Sequence, residues 1–134
     1  MAFYVYTRYG AQERYGDDAD VPSVVERLLE ELETEQFEEP DDEHTEVSLT
    51  NGNWFVEVNV SGLLTLGNNS WITGKETDVP TPTLHMRASS RPQVSDLLNK
   101  LGRGEVEAVR SAGWTSREKL PPFNCDFFRG PSRG

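Results

Sequence analysis

Cysteine, histidine and lysine are scarce in this 134-residue chain, which has one Cys, two His and three Lys. The lone Cys125 excludes an internal disulfide framework. No apolar run approaches the roughly 20 residues needed to cross a bilayer. The opening stretch MAFYVYTRYG lacks the basic and then apolar order of a secretory signal. These absences predict a cytoplasmic protein with no membrane contact, in which the Asn-x-Ser triplets at Asn59 and Asn68 are idle. Phosphate-binding glycine patterns are missing, and so is the G-x-S-x-G elbow of a serine hydrolase. Gly102-Arg103-Gly104 precedes a short helix without a strand before it, so no cofactor is expected.

Enough apolar material remains to build a core. Hydrophobic residues make up 35% of the chain and aromatic residues 10%, so it should fold despite a net charge of -10. Its length suits a single domain, 1–134, with 115–134 as an irregular aromatic C-terminal arm. Charge is uneven: residues 1–50 hold 15 Asp/Glu against 3 Lys/Arg, and residues 51–134 hold 8 against 10. A field of that sign repels nucleic acid and anionic membranes and speeds encounter with a basic partner. The densest stretch, EELETEQFEEPDDEHTE from Glu30 to Glu46, places ten carboxylates in seventeen positions without one Lys or Arg.

Periodicity divides the chain into elements. Residues 2–9, AFYVYTRY, read as a strand with Phe3, Val5 and Thr7 on one face and Tyr4, Tyr6 and Arg8 on the other. The polar residues 10–20 read as a loop ending at an N-cap, Asp20, with Pro22 in the first turn of a helix over 21–36. Val21, Val24, Val25, Leu28, Leu29 and Leu32 form its apolar stripe, and Pro40 blocks any continuation. In EVSLTNGNWFVEVNV, Asn51-Gly52 predicts a type I′ hairpin turn that sets Thr50 opposite Asn53 and Leu49 opposite Trp54. That register gathers Val47, Leu49, Trp54, Val56 and Val58 on one face and Glu46, Ser48, Phe55, Glu57 and Asn59 on the other.

A second hairpin is expected around Gly67–Ser70, with Trp71 and Ile72 on its return strand, and LHMRAS from Leu84 is a further strand. Ser90 and Gln93 form a capping box before Val94, Leu97, Leu98 and Leu101, which repeat at helical spacing up to Gly102. A short third helix covers 104–112. Together these elements predict an α+β domain: a mostly antiparallel sheet of five or six strands with two or three helices packed on one face.

Chemistry-bearing residues are few. The acidic residues around His44 lack the spacing and turn glycine of a calcium loop, so no metal site is expected. Cys125 with His85 or His44 has none of the local signatures of a catalytic cysteine, and its neighbours Asp126, Phe123 and Phe127 oppose a reactive thiolate. Paired carboxylates such as Glu57 and Asp78 can act as acid and base without leaving a motif, which keeps a small carboxylate-using hydrolase as the alternative.

The preferred expectation is a non-enzymatic protein-binding domain. Its contact residues are Glu38, Glu39, Asp41, Asp42, Glu43 and Glu46 for steering, with Phe55, Trp114, Phe127 and Phe128 as anchors. The partner is a basic protein, with no direct nucleic-acid contact. A homodimer joined through the aromatic arm is the structural alternative. In general character such a small acidic α+β domain is similar to bacterial immunity proteins and other protein inhibitors, a likeness of type that shares no motif and transfers no residues.

Overall fold

A computed structural model describes residues 3–8, 10–16, 18–33, 45–68, 83–116 and 119–120. They form six strands, β1 (Phe3–Tyr6), β2 (Gln12–Tyr15), β3 (Glu46–Asn51), β4 (Trp54–Asn59), β5 (Leu63–Asn68) and β6 (Leu84–Arg87), in the sheet order β2-β1-β3-β4-β5-β6. Every neighbouring pair is antiparallel. Three helices, α1 (Val21–Glu33), α2 (Arg91–Gly102) and α3 (Val106–Arg110), complete the expected α+β arrangement. None of these helices is long and apolar enough to cross a membrane.

The N-terminal strand is shorter than expected, and the loop after it contains a strand. Thr7 donates its amide to Ala11 O at 2.8 Å and Gly10 donates to Thr7 O at 3.1 Å, so the chain reverses there and returns as β2. Gln12 and Arg14 are exposed while Glu13 and Tyr15 are half-buried. With one apolar side chain in four, β2 carries almost no hydrophobic alternation, and such polarity is how edge strands avoid stray pairing. Arg8 also departs from the face shared by Tyr4 and Tyr6. It is 2% exposed, and its Nη1 donates to Glu31 O at 2.8 Å while its amide donates to Glu31 Oε1 at 2.9 Å. A buried cation thus meets the carbonyl end of α1, where the helix dipole favours positive charge.

The helical stripes behave as their spacing predicts. All six apolar positions of α1 are buried, and Asp20 opens the helix by accepting from the Ser23 hydroxyl at 2.8 Å. In α2, Ser90 Oγ accepts from the Gln93 amide at 3.2 Å, and Gln93 Oε1 accepts from the Ser89 amide at 2.7 Å, a capping box displaced by one residue. Val94, Leu97, Leu98 and Leu101 are buried. Together with Phe3, Val5, Val47, Leu49, Val56, Val58, Leu64 and Val109 these residues make one continuous core between helices and sheet.

The β3–β4 hairpin forms, but its register differs from the expected one by two residues. Asn51 pairs with Trp54, Leu49 with Val56 and Val47 with Val58, so the turn residues are Gly52 and Asn53. Gly52 has φ 63° and Asn53 has no positive φ, the pattern of a type II′ turn. The reason lies far away in sequence. Asn51 is 1% exposed, and its Nδ2 donates to Leu101 O at 2.9 Å, closing the C-terminal end of α2. An even shift conserves strand parity, so the two faces keep the residues assigned to them.

β5 pairs along its second edge with β6, from Leu63 opposite Arg87 to Leu66 opposite Leu84. Trp71 and Ile72, expected as its hairpin partners, lie outside the described residues. After α3, Trp114 Nε1 donates to Val109 O at 2.7 Å, and the Arg110 guanidinium lies 4.5 Å from the centre of the Trp54 ring. Thr115 then exchanges two backbone hydrogen bonds with His85, at 2.8 and 2.9 Å, on the outer side of β6.

Candidate functional site

Strand alternation aims every second side chain away from the helices, so the chemistry of the opposite face is set by the register. One row across it reads Arg14, Tyr4, Thr50, Phe55, Gly67, and the next reads Gln12, Tyr6, Ser48, Glu57, Thr65, His85. Tyr4 and Tyr6 meet edge to face at 5.7 Å, and the Arg14 guanidinium stands 6.0 Å from the Tyr4 ring centre. Tyr6 is 43% exposed and Thr50, between Tyr4 and Phe55, only 3%. Phe55 lies over Gly67: a Cβ at Gly67 would collide with its ring, so the glycine makes room for the aromatic.

The second row holds the most unusual group. Glu57 sits between Ser48 and Thr65 and diagonally from Glu46, which pairs with Asn59. Burial, the hydrogen bond between the Glu57 and Glu46 carboxyls, and their mutual repulsion raise the Glu57 pKa from the ordinary 4.5 to about 8. Next along the row, Thr65 Oγ1 and His85 Nδ1 are 3.1 Å apart. The sequence reading named Glu57 as a potential acid or base with Asp78, which lies outside the described residues; its actual neighbour is Glu46. The expected hairpin placed Glu46 and Glu57 on one face, and the observed register sets them diagonally.

The other anticipated contact residues divide clearly. Glu46 is exposed at the head of β3, Phe55 is half-buried over Gly67, and Trp114 is half-buried against the core with its indole N–H engaged by Val109 O. Phe55 and Trp114 thus have packing duties within the fold. Glu38, Glu39, Asp41, Asp42, Glu43, Phe127 and Phe128 lie outside the described residues. No group of three His, Cys, Asp or Glu side chains among the described residues could hold a metal ion.

Most charges in the described fold are matched. Arg91 bridges Glu33 at 3.0 Å and Glu26 at 2.8 Å, joining the start of α2 to α1. Arg27 bonds both Glu13 and the Tyr15 hydroxyl, and the Tyr15 and Arg27 hydrogen bonds hold Glu13 below the usual carboxylate range. Lys100–Asp96, Arg103–Glu105 and Arg110–Glu107 pair at 2.8, 2.7 and 3.0 Å. The described residues contain twelve Asp/Glu and nine Lys/Arg, so most of the net charge of -10 belongs elsewhere. Residues 34–44 alone supply six carboxylates and no Lys or Arg, between the end of α1 and the strand that begins at Glu46.

A shallow cleft lined by Phe3, Tyr4, Arg14 and Gly52 lies at the turn end of β3 and β4 and includes neither Glu46 nor Glu57. No protein-family model, curated protein or solved structure matches the chain.

Proposed function

We propose that the protein is a non-catalytic binding domain that engages a basic protein partner through its acidic segment and the adjoining head of β3, in the manner of an immunity or inhibitor protein. The observation that carries this reading is the partition of charge. Arg and Lys side chains pair with Glu13, Glu26, Glu33, Asp96, Glu105 and Glu107 of the scaffold, whereas the six carboxylates between α1 and β3 have no basic residue in their own segment. A run of charge of one sign serves encounter with the opposite sign, and it acts mainly on association rate. Glu46, Tyr6 and Phe55 supply the adjoining polar and aromatic contacts.

The hydrolase alternative requires carboxylates of displaced pKa inside a cleft. Glu57 meets the first requirement, and the cleft at the turn end of β3 and β4 is lined by other residues.

The test compares the wild-type chain with a variant carrying E38Q, E39Q, D41N, D42N and E43Q as baits in an extract of the source organism. The expected result is a basic protein retained by the wild type at low salt, released at high salt and associating with the variant about tenfold more slowly or worse. A partner that binds both baits equally and ignores salt overturns the reading.

A further inference from the structure

Asn51 and Gly52 are the one Asn-Gly pair in the chain. A glycine leaves its backbone nitrogen unshielded by any Cβ and free to turn toward the preceding side chain, so the Asn of such a pair is readily deamidated in a flexible chain. The fold holds this one fast. Asn51 is 1% exposed, and its backbone lies in the ladder between Phe3 of β1 and Trp54 of β4. Its Nδ2 donates to Leu101 O at 2.9 Å and to Gly102 O at 3.4 Å, so both amide hydrogens are engaged at the end of α2. Its Oδ1 is buried and accepts no hydrogen bond from a described residue.

We propose that Asn51 is a self-modification site that the native fold silences and unfolding opens, so that deamidation there turns a reversible unfolding event into a permanent one. In the reaction the Gly52 backbone nitrogen gives its proton to solvent base and bonds to Asn51 Cγ. The Cγ–Nδ2 bond breaks, the departing nitrogen takes up a proton from solvent as ammonia, and a cyclic imide remains. Water then opens the ring at either carbonyl, leaving Asp, or isoAsp with the chain running through the side-chain carbon. No electrons are exchanged, and water is the sole reagent consumed.

Each native contact opposes a step. Ladder pairing on both edges of Asn51 keeps the Gly52 nitrogen from swinging round to Cγ. The carbonyls of Leu101 and Gly102 tether the group that has to leave. No described donor faces Oδ1, so the negative charge that gathers there in the tetrahedral intermediate would be buried without compensation. Unfolding removes all of these at once. The product is then shut out of the fold: an Asp at this position sets a carboxylate against two carbonyl oxygens, acceptor against acceptor, and isoAsp adds a backbone atom that breaks the β3 register. The acidic segment takes no part, so the site is independent of the binding function proposed above.

Peptide mass spectrometry of the full chain, incubated at one mildly alkaline pH in graded guanidinium chloride, follows the conversion. Loss of Asn51 should be about a hundredfold or more slower in buffer than in full denaturant, and between them it should rise in proportion to the unfolded fraction read by circular dichroism. After partial conversion the denaturant is removed and a brief protease pulse cuts the chains that stay unfolded. Survivors should carry Asn51 and the cleaved chains Asp or isoAsp in its place, and Asn51→Asp made directly should be cleaved like the converted chains. Conversion in buffer near the denatured rate, a rate that ignores the unfolded fraction, or no conversion in full denaturant overturns the site. Equal survival of converted and unconverted chains overturns its permanence.

Discussion

The two faces of one sheet are built on opposite principles. Toward the helices, Leu28, Leu49, Leu64, Leu98 and Leu101 are fully buried and the polar exceptions, Arg8 and Asn51, close helix ends. Away from the helices, aromatic rings, hydroxyls, an imidazole and two carboxyls share the surface, and the most displaced ionisation equilibrium lies among them. Stability is concentrated on the first face. Sensitivity to solution conditions is concentrated on the second. Substitutions that separate these roles test the contrast.

The largest effect belongs to the helix side. Leu28→Ala should cost about 3–4 kcal/mol in denaturant unfolding, because a fully buried leucine leaves a cavity between α1 and the sheet. Thr65→Ala, on the other face, should cost under about 1 kcal/mol. Next comes Asn51→Ala, expected to cost about 2 kcal/mol through the unpaired carbonyls at the end of α2, with Asn51→Asp at least as harmful because a carboxylate would face them. A smaller loss, about 1 kcal/mol, is expected for Gly67→Ala. The added methyl displaces the Phe55 ring, and in the Phe55→Ala background the same change should cost less, a coupling that a double-mutant cycle measures.

The pH dependence is smaller and has a definite sign. Folded Glu57 titrates near 8 instead of at the ordinary 4.5, so in that interval the native protein binds more protons than the unfolded chain. Its contribution is complete below about pH 4.5 and is lost as the pH rises through 8. Glu57→Gln should therefore gain on the wild type in thermal melts at alkaline pH. Equal pH profiles for the two would remove the raised Glu57 ionisation from the account. The smallest change is expected from Arg110→Ala, about 0.5–1 kcal/mol for the guanidinium over Trp54.

Local rules carried much of this architecture and failed at identifiable places. The stripes of α1 and α2 were legible because helical spacing is a short-range property, and the β3–β4 hairpin because alternation and a glycine turn coincide. Its register was not, since Asn51 is drawn into β3 by the carbonyl of Leu101, 50 residues away. β2 was missed because Gln12, Glu13 and Arg14 give a strand no apolar signature. Arg8 was misplaced because its partner is the far end of α1. Of the candidate contact residues, strand parity located Glu46 and Phe55 on the same face, but the shielding of Glu57 and its bond to Glu46 depend on the assembled sheet.

Among the described strands the polar β2 is an edge strand, and its charges bear on self-association. A two-fold antiparallel pairing of this strand with its copy, centred on Glu13, sets two glutamates face to face. Centred on Arg14, it sets two arginines face to face. In either alignment like charges oppose each other at the closest cross-strand distance. The sequence Gln-Glu-Arg-Tyr thus does on the outer edge what no hydrophobic pattern could: it discourages a second molecule from extending the sheet there.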